Sequence, residues 1–444
     1  MPETQEQYSG FISRRPVQGR GPAELSVRFI YSLILYLLVP WVLLRLAWRG
    51  FSNRGYWQRW RERFGFVPRL PGPTIWLHAV SVGEVRASAP LVKVLSQDYP
   101  THRLLITTMT PTGSATVRAM FGDSVAHCYV PYDLPSAVWR FLHRTKPRLA
   151  IIMETELWPN LFYQCRKRAV PLLLANARMS EKSARGYRRW ARFTQTVLAN
   201  VSHVGAQTLD DAERIGALGA ASVEVTGSVK FELEVPPDLA TNAAAWRRGF
   251  GTRPVWVAAS TRDGEEALVL SAFAQLREHL PDLLLLLVPR HPERFESVAK
   301  LCRQRGFTLE RRSAQLASIA PSSAILLGDS MGELLLFYAA ADVAFIGGSL
   351  VPRGGQNLLE AAAVGTPVVF GPHMFNFLDI SRMTLERGAG RQVNNATELA
   401  NVVGEYLTNR AARQAAGAAG RLMVAENRGA LQKTIALIKQ VYPA

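Results

Sequence analysis

Apolar runs of four to eight residues alternate along most of this chain with stretches whose apolar positions recur every three or four residues. From residue 73, PTIWLHAV leads into VRASAPLVKVL, where Val85, Ala89, Val92 and Leu95 share a helical face. HRLLITTMT then PTGSATVRAMFG, RLAIIMETE then LWPNLFYQCRKR, and VPLLLANAR then SEKSARGYRRWARF repeat the plan. Short, wholly apolar runs are strands buried on both faces, so the pattern predicts parallel sheets covered by helices. SHVGAQTLDDAERIGALG and SVEVTGSVKFELEVPPD close the first half. The second restarts with PVWVAAST, LLLLLVPRHPERF, AILLGDSMGE, DVAFIGGS and PVVFGPHMFNF. The expected fold is α/β, two Rossmann-like, doubly wound domains facing a cleft, with 236–246 (PPDLATNAAAW) as hinge. The expected divisions are 1–71, an N-terminal extension and membrane anchor, 72–237, and 238–444, whose terminal helix is a candidate to cross back.

One segment breaks the alternation. Residues 29–44, FIYSLILYLLVPWVLL, carry no charge and are bounded by Arg28 and Arg45. They are marginal for the ~20 residues of a full span, which flanking arginines can lengthen by snorkelling. No small-residue cleavage site follows, so the segment reads as a retained anchor. Trp41, Trp48, Trp57 and Trp60 fit an interfacial aromatic belt. The arginines after it outweigh Arg14, Arg15, Arg20 and Arg28 before it, so the bulk of the chain is expected to stay cytoplasmic.

The net charge of +17 is concentrated. Residues 1–71 carry +7 and residues 166–192 carry +8, together 15 of the 17 excess charges. Such patches bind polyanions, whether nucleic acid, anionic lipid or a phosphorylated substrate. With 48% hydrophobic and 20% charged residues the chain is globular, and Cys128, Cys165 and Cys302 have neither zinc nor disulfide-framework spacing.

Candidate chemistry lies at the strand exits. In GGSLVPRGGQNLLE (347–360) a strand empties through glycines into a helix start, an arrangement whose backbone N–H groups bind anions. It lacks the GK[ST] ending of a Walker loop. Glu360, one turn in from Asn357, is placed to accept hydrogen bonds from a ribose, which predicts a nucleotide across the helix end. Glu84, after SVG, is a candidate general base or simply a helix-start carboxylate. Glu154 and Glu156 face one side if the strand stays extended, as an acid/base pair, binders of substrate hydroxyls, or partners of the arginine-rich stretch. Arg290 and His291 after LLLLLVP, and Lys230 in GSVKFE, offer donors and positive charge. Ser260, Met331, Gly332 and Glu333 are candidate backbone or base contacts. No DxD pair precedes the glycine loop and no cluster has metal spacing, so helix dipole and cations are expected to meet the phosphate charge, with no metal and no cofactor.

HAVSVGEV, TTMTPTGSA, PYDLP, METELWPN, NARMSEKS, RHPERF, GDSMGE and GGQNLLEAAAVGTPVVFGPHMFNF occur in this order over roughly residues 50 to 430. The chain thereby resembles the Kdo (3-deoxy-D-manno-octulosonate) transferases of lipopolysaccharide synthesis. The resemblance implies a glycosyltransferase B fold, an N-terminal membrane anchor, and metal-free inverting transfer of Kdo from CMP-Kdo to a lipid A precursor, lipid IVA. It implies Glu84 as base, with Glu154 or Glu156 and Lys230 stabilising the transition state. Ser260, Arg290, His291, Met331, Gly332, Glu333, Gly355, Asn357, Leu358, Leu359 and Glu360 would then bind CMP-Kdo. Arg178, Arg185 and Arg188 would meet the acceptor, beside an anionic membrane surface and without nucleic acid. The chain departs from some members in reading GSVKF and NLLEA. Two rivals are a UDP-sugar transferase of the same fold and a non-enzymatic, membrane-anchored polyanion binder.

Overall fold

The computed structural model describes residues 22–52, 54–314 and 318–443, the side chains of residues 22–26 and 52 excepted. The N-terminal flank with Arg14, Arg15 and Arg20, and with it the start of the 1–71 segment, lies outside the described residues. The described residues form two compact units, one running up to Glu232 and including 428–443, the other from Leu233 to Asn427. The first boundary thus falls at Glu232/Leu233 rather than after residue 237. The expected hinge is mostly helix: Leu239–Arg248 belongs to the second unit, where Trp246 packs on Phe337 with ring centroids 5.2 Å apart.

Among the described residues, fourteen strands form two seven-stranded sheets, each parallel throughout. In the first unit β1 (Thr74–His78), β2 (Arg103–Thr108), β3 (Ala126–Tyr129), β4 (Pro147–Met153), β5 (Leu172–Ala177), β6 (His203–Ala206) and β7 (Val223–Val225) lie in the order β3-β2-β1-β4-β5-β6-β7. In the second, β8 (Val255–Thr261), β9 (Leu284–Pro289), β10 (Leu309–Arg311), β11 (Ile325–Leu327), β12 (Val343–Ile346), β13 (Val368–Phe370) and β14 (Gly390–Gln392) follow the order β10-β11-β9-β8-β12-β13-β14. The chain reverses its direction of sheet growth between β1 and β4 and again between β8 and β12. Open α/β sheets bind ligands at such switch points, outside the carboxyl ends of the strands.

Every residue of β1, β8 and β9 is buried, as expected of central parallel strands with helices on both faces. Trp76 on β1 packs edge-to-face on Phe141 at 4.9 Å and its indole N–H donates to Thr107 Oγ1 (2.8 Å). Such an aromatic pair adds about 0.5–1.5 kcal/mol beyond its buried area. The long helical stretch after β1 breaks at Ser88, where Pro90 enters the first turn of Ala89–Asp98. The last helix, Ala430–Val441, packs into the first unit, where Leu437 and Ile438 join the core of Ile75 and Val85. Glu232 Oε1 accepts the N–H groups of Gly429 (2.8 Å) and Leu431 (3.0 Å) and so caps that helix.

Candidate functional site

In the first unit the switch point collects three glutamates. Ser81 ends the β1 exit loop as N-cap of Val82–Ala87, and its Oγ accepts from the Glu84 N–H (3.3 Å). The Glu84 carboxylate reaches back, Oε1 accepting from Ser81 Oγ (2.8 Å) and Oε2 from the Val80 N–H (2.8 Å). This is the S-x-x-E capping box with its return bond shifted one residue, so local chemistry alone fixes the side chain. Its environment does more. Glu84 is 9% exposed, and burial pushes its carboxyl up to about 7 against those two hydrogen bonds, with the charges of Glu154 and Glu156 adding to the rise. A carboxylate that titrates near neutrality at a strand exit suits proton abstraction.

Glu154 and Glu156 come from the β4 exit, on the other side of the switch point, but not along an extended strand. β4 ends at Met153, and Glu154 is left-handed (φ 59°), its N–H bonded to Ala175 O (2.8 Å). The chain therefore turns between the two glutamates, and the period-two argument for a shared strand face fails. Glu156 Oε2 accepts the Trp158 indole N–H (3.1 Å), and burial raises its pKa. Lys230 lies on the short turn Val229–Phe231 after β7, beside Val229, which packs in the same core as Val85. The arginine-rich helix Glu181–Arg188 pairs within the unit through Glu181, at 2.7 Å to Arg188 and 3.8 Å to Arg185. Arg178 is tied in through its backbone, its N–H donating to Thr155 Oγ1 (2.9 Å) and its carbonyl accepting from it (2.7 Å).

In the second unit the first amides of the glycine exit of β12 are already occupied. The N–H groups of Gly348 (2.6 Å), Ser349 (3.1 Å) and Leu350 (2.9 Å) all donate to the Glu265 carboxylate, which also accepts from the Arg262 N–H (3.1 Å). Glu265 is fully buried, and burial pushes its carboxyl up although four backbone donors favour its charge. The anion bound by this nest is the chain's own. Glu265 was missed by the sequence reading, although EEA after a left-handed Gly264 (φ 86°) is a helix start with acid at its first turn.

β8 bulges at Ser260, a non-glycine residue at φ 56°. Gly347 makes room for it: a Cβ there would lie 2.5 Å from Ser260 O. Gly347→Ala is accordingly expected to cost about 1–3 kcal/mol, read as a lower denaturant midpoint at unchanged slope. Gly355 (φ 72°) lies against Met374, and a Cβ would meet its sulfur at 2.2 Å. The helix after the loop runs Leu359–Val364 and carries Glu360 in its first turn. Asn357 Oδ1 accepts the Leu359 N–H (3.1 Å) while its Nδ2 donates to Glu360 Oε1 (3.0 Å). Leu358 and Leu359 are fully buried, so their side chains belong to the core and cannot touch a nucleotide.

Arg290 and His291 leave β9 beside the Ser260 bulge, the Arg290 N–H bonding Thr261 O (3.0 Å). His291 Nε2 contacts the guanidinium of Arg262, and burial followed by that positive charge lowers its pKa. Arg294 anchors the loop from below, paired with the buried Glu266 at 2.5 Å. At the β11 exit Met331 is exposed and Gly332 left-handed (φ 84°). Glu333 is gripped by Arg312 at 2.6 and 3.0 Å, which holds its carboxyl below the usual range. Sequence placement alone did not reveal Arg262 or Arg312.

Residues 58–233 match the family model described as 3-deoxy-D-manno-octulosonic-acid transferase (kdotransferase), and residues 265–423 match the model of glycosyl transferases group 1. The chain is 42% identical over 423 residues to the 3-deoxy-D-manno-octulosonic acid transferase of Haemophilus influenzae, covering 93% of this chain and 98% of that one. The Bordetella pertussis enzyme of the same name is 39% identical over 422 residues, 92% and 98% of the two chains. A solved glycosyltransferase from Rickettsia africae shares the fold at 14% identity and TM-score 0.54, over 84% of this chain and 99% of that one. Two parallel sheets with switch-point sites thus form a glycosyltransferase B fold, and the chain belongs to the 3-deoxy-D-manno-octulosonic acid transferase family, the Kdo glycosyltransferases of lipopolysaccharide synthesis.

Proposed function

We propose that the chain moves Kdo from CMP-Kdo to a lipid A precursor, lipid IVA, by direct displacement with Glu84 as general base and without a metal. The observation that carries this reading is the Glu84 carboxyl, fixed at the β1/β4 switch point and titrating at about 7. Glu84 takes the proton of the acceptor hydroxyl. The freed oxygen bonds to the anomeric carbon while the bond to the CMP phosphate breaks on the opposite side, so the electron pair leaves with CMP and the configuration inverts. Glu154 or Glu156, with Lys230, stabilises the charge that develops, and Arg178, Arg185 and Arg188 meet the phosphates of the acceptor.

In the donor unit Arg290, His291, Ser260, the Met331–Gly332–Glu333 turn and the Gly355 to Glu360 segment hold CMP. Leu358 and Leu359 contribute backbone and packing only. The loop rigidified by Glu265 presents Asn357 and Glu360 at the start of their helix. The membrane-facing placement on the cytoplasmic side of an inner membrane rests on the N-terminal helix and its arginine-rich flank.

The test is transfer of Kdo from CMP-Kdo, made beforehand so that no metal is needed to supply the donor, to tetra-acylated lipid IVA in detergent with EDTA. Product masses rising in Kdo steps are expected, with CMP competing and UDP not. Loss of transfer on chelation, restored by a divalent cation, would sink metal independence. Competition by UDP instead of CMP would move the reading to a UDP-sugar donor.

A further inference from the structure

The apolar helix Pro22–Ser52 does not stand away from the first unit; it lies along it. Tyr31 Oη donates to Asp133 Oδ2 (3.1 Å), Ser32 Oγ bonds Asn160 Oδ1 (3.2 Å), Tyr36 Oη bonds Ser136 Oγ (2.9 Å), and Arg28 stacks on Tyr163 at 3.5 Å. Two of these partners, Asp133 and Ser136, belong to one segment after β3, and the other two, Asn160 and Tyr163, to the helix Pro159–Lys167. The chain then doubles back. Trp57 Nε1 donates to Ala47 O (3.0 Å), and Arg63 O accepts the N–H of Tyr132 (2.8 Å), the neighbour of the residue that holds Tyr31.

The helix is sided to match. Residues 28, 31, 32, 35, 39, 42, 46 and 50 are the less exposed ones, a seam at helical period over about six turns. At 3.6 residues per turn, Arg28, Tyr31, Ser32, Tyr36, Arg45 and Arg49 all fall on that seam or its flanks. The opposite face is apolar and exposed: Ile30, Leu33, Leu37, Trp41, Leu44 and Trp48 range from 49% to 77% exposed. A helix crossing a bilayer sets its ends about 30 Å apart on opposite sides and meets lipid all round. Here the same globular unit holds the seam near the start and the chain that returns from the end.

The geometry points to a monotopic membrane face: the helix lies in the plane of one leaflet of anionic phospholipid, its seam on the protein and its apolar face among the acyl chains. Charge argues for an anionic lipid as occupant. Arg28, Arg45 and Arg49 flank the apolar face, and a groove of about 780 Å³ beside it is lined by Phe29, Leu33, Pro135 and Tyr163 between Arg28 and Lys167. Phe193 packs on Tyr31 at 5.8 Å and continues this surface into the GYRRWARF stretch, where Trp190 is 70% exposed beside Arg189 and Arg192. Aromatic rings and arginines at headgroup level are the composition of an interfacial surface.

The test places single cysteines along the helix of the full chain, in vesicles of phosphatidylethanolamine and phosphatidylglycerol, and reads quenching of an attached fluorophore by brominated lipids; the three native thiols are buried. Strong, equal quenching at 30, 37, 41, 44 and 48 and weak quenching at 35, 39, 42 and 46 is expected. Protease added to the face that cuts a tag after Ala444 should also cut a tag before Met1, and phosphatidylcholine alone should weaken vesicle binding at least about tenfold. Quenching on every face that peaks at mid-helix, or a protected N-terminal tag, would show a span and overturn the inference. So would a lipid-independent dimer with the apolar face shielded from quencher.

Discussion

Replacing Glu84 by glutamine is expected to lower Kdo transfer by about 10²–10⁴-fold, the usual worth of a general base. The variant keeps an S-x-x-Q box, so the helix start survives and the loss reports chemistry rather than unfolding. Wild-type turnover should rise with pH through about 7 and level off as the carboxyl ionises; the residual rate of the variant should be flat over that range. Stability should move the other way. The folded-state pKa lies above the ordinary 4.5, so the stability contributed by the protonated group is full below 4.5 and is lost as pH rises through about 7. At pH 8 the native protein therefore carries a buried charge at a cost on the order of 3 kcal/mol, which glutamine removes. Thermal melts should place the variant above wild type at pH 8 and level with it near pH 4.5. Transfer within a few fold of wild type would remove Glu84 as the base, and a melting difference independent of pH would refute its burial-raised pKa.

The strands were legible because central parallel strands are apolar on both faces, as TIWLH, RLLITT and LLLLVP are, and glycine or proline punctuates their exits. The placement of Glu84 followed from the same signals, since a strand, a short polar loop and an S-x-x-E box are local. What escaped the sequence was of two kinds. Glu154 and Ser260 take left-handed conformations that no glycine announces, and both sit where a strand ends against its neighbours. That backbone is imposed by tertiary packing, which is why extended geometry was the natural expectation for METE. Glu265 and Gly348 are far apart in sequence, so nothing local announced that the N–H groups of Gly348, Ser349 and Leu350, at the start of the glycine loop, are taken by the chain's own carboxylate. The N-terminal helix shows a third effect. Mean hydropathy averages over its faces and registers only an apolar run, whereas the placing of its tyrosines and arginines on one side carries the information about how it lies.

Glu265→Ala should be the most damaging substitution in the second unit. It strands the N–H groups of Arg262, Gly348, Ser349 and Leu350 in a buried site, where each unpaired donor costs about 1–3 kcal/mol. With partial relaxation, a total of about 3–5 kcal/mol is expected as a lower denaturant midpoint. The effect on ligand distinguishes two roles for the nest. If its work is to hold the β12 exit rigid so that Asn357 and Glu360 are presented to the donor, CMP affinity should fall at least about tenfold. Formate, a carboxylate small enough to enter the vacated space, should then restore much of the affinity and stability, while chloride should do less because it cannot offer two oxygens to four donors. If the nest were instead a phosphate site held shut by Glu265, removing the carboxylate would free its amides, and CMP would bind more tightly, with formate as competitor. Calorimetric titration of CMP with and without formate separates the two by sign, and tighter binding in the variant would overturn the structural role assigned to Glu265.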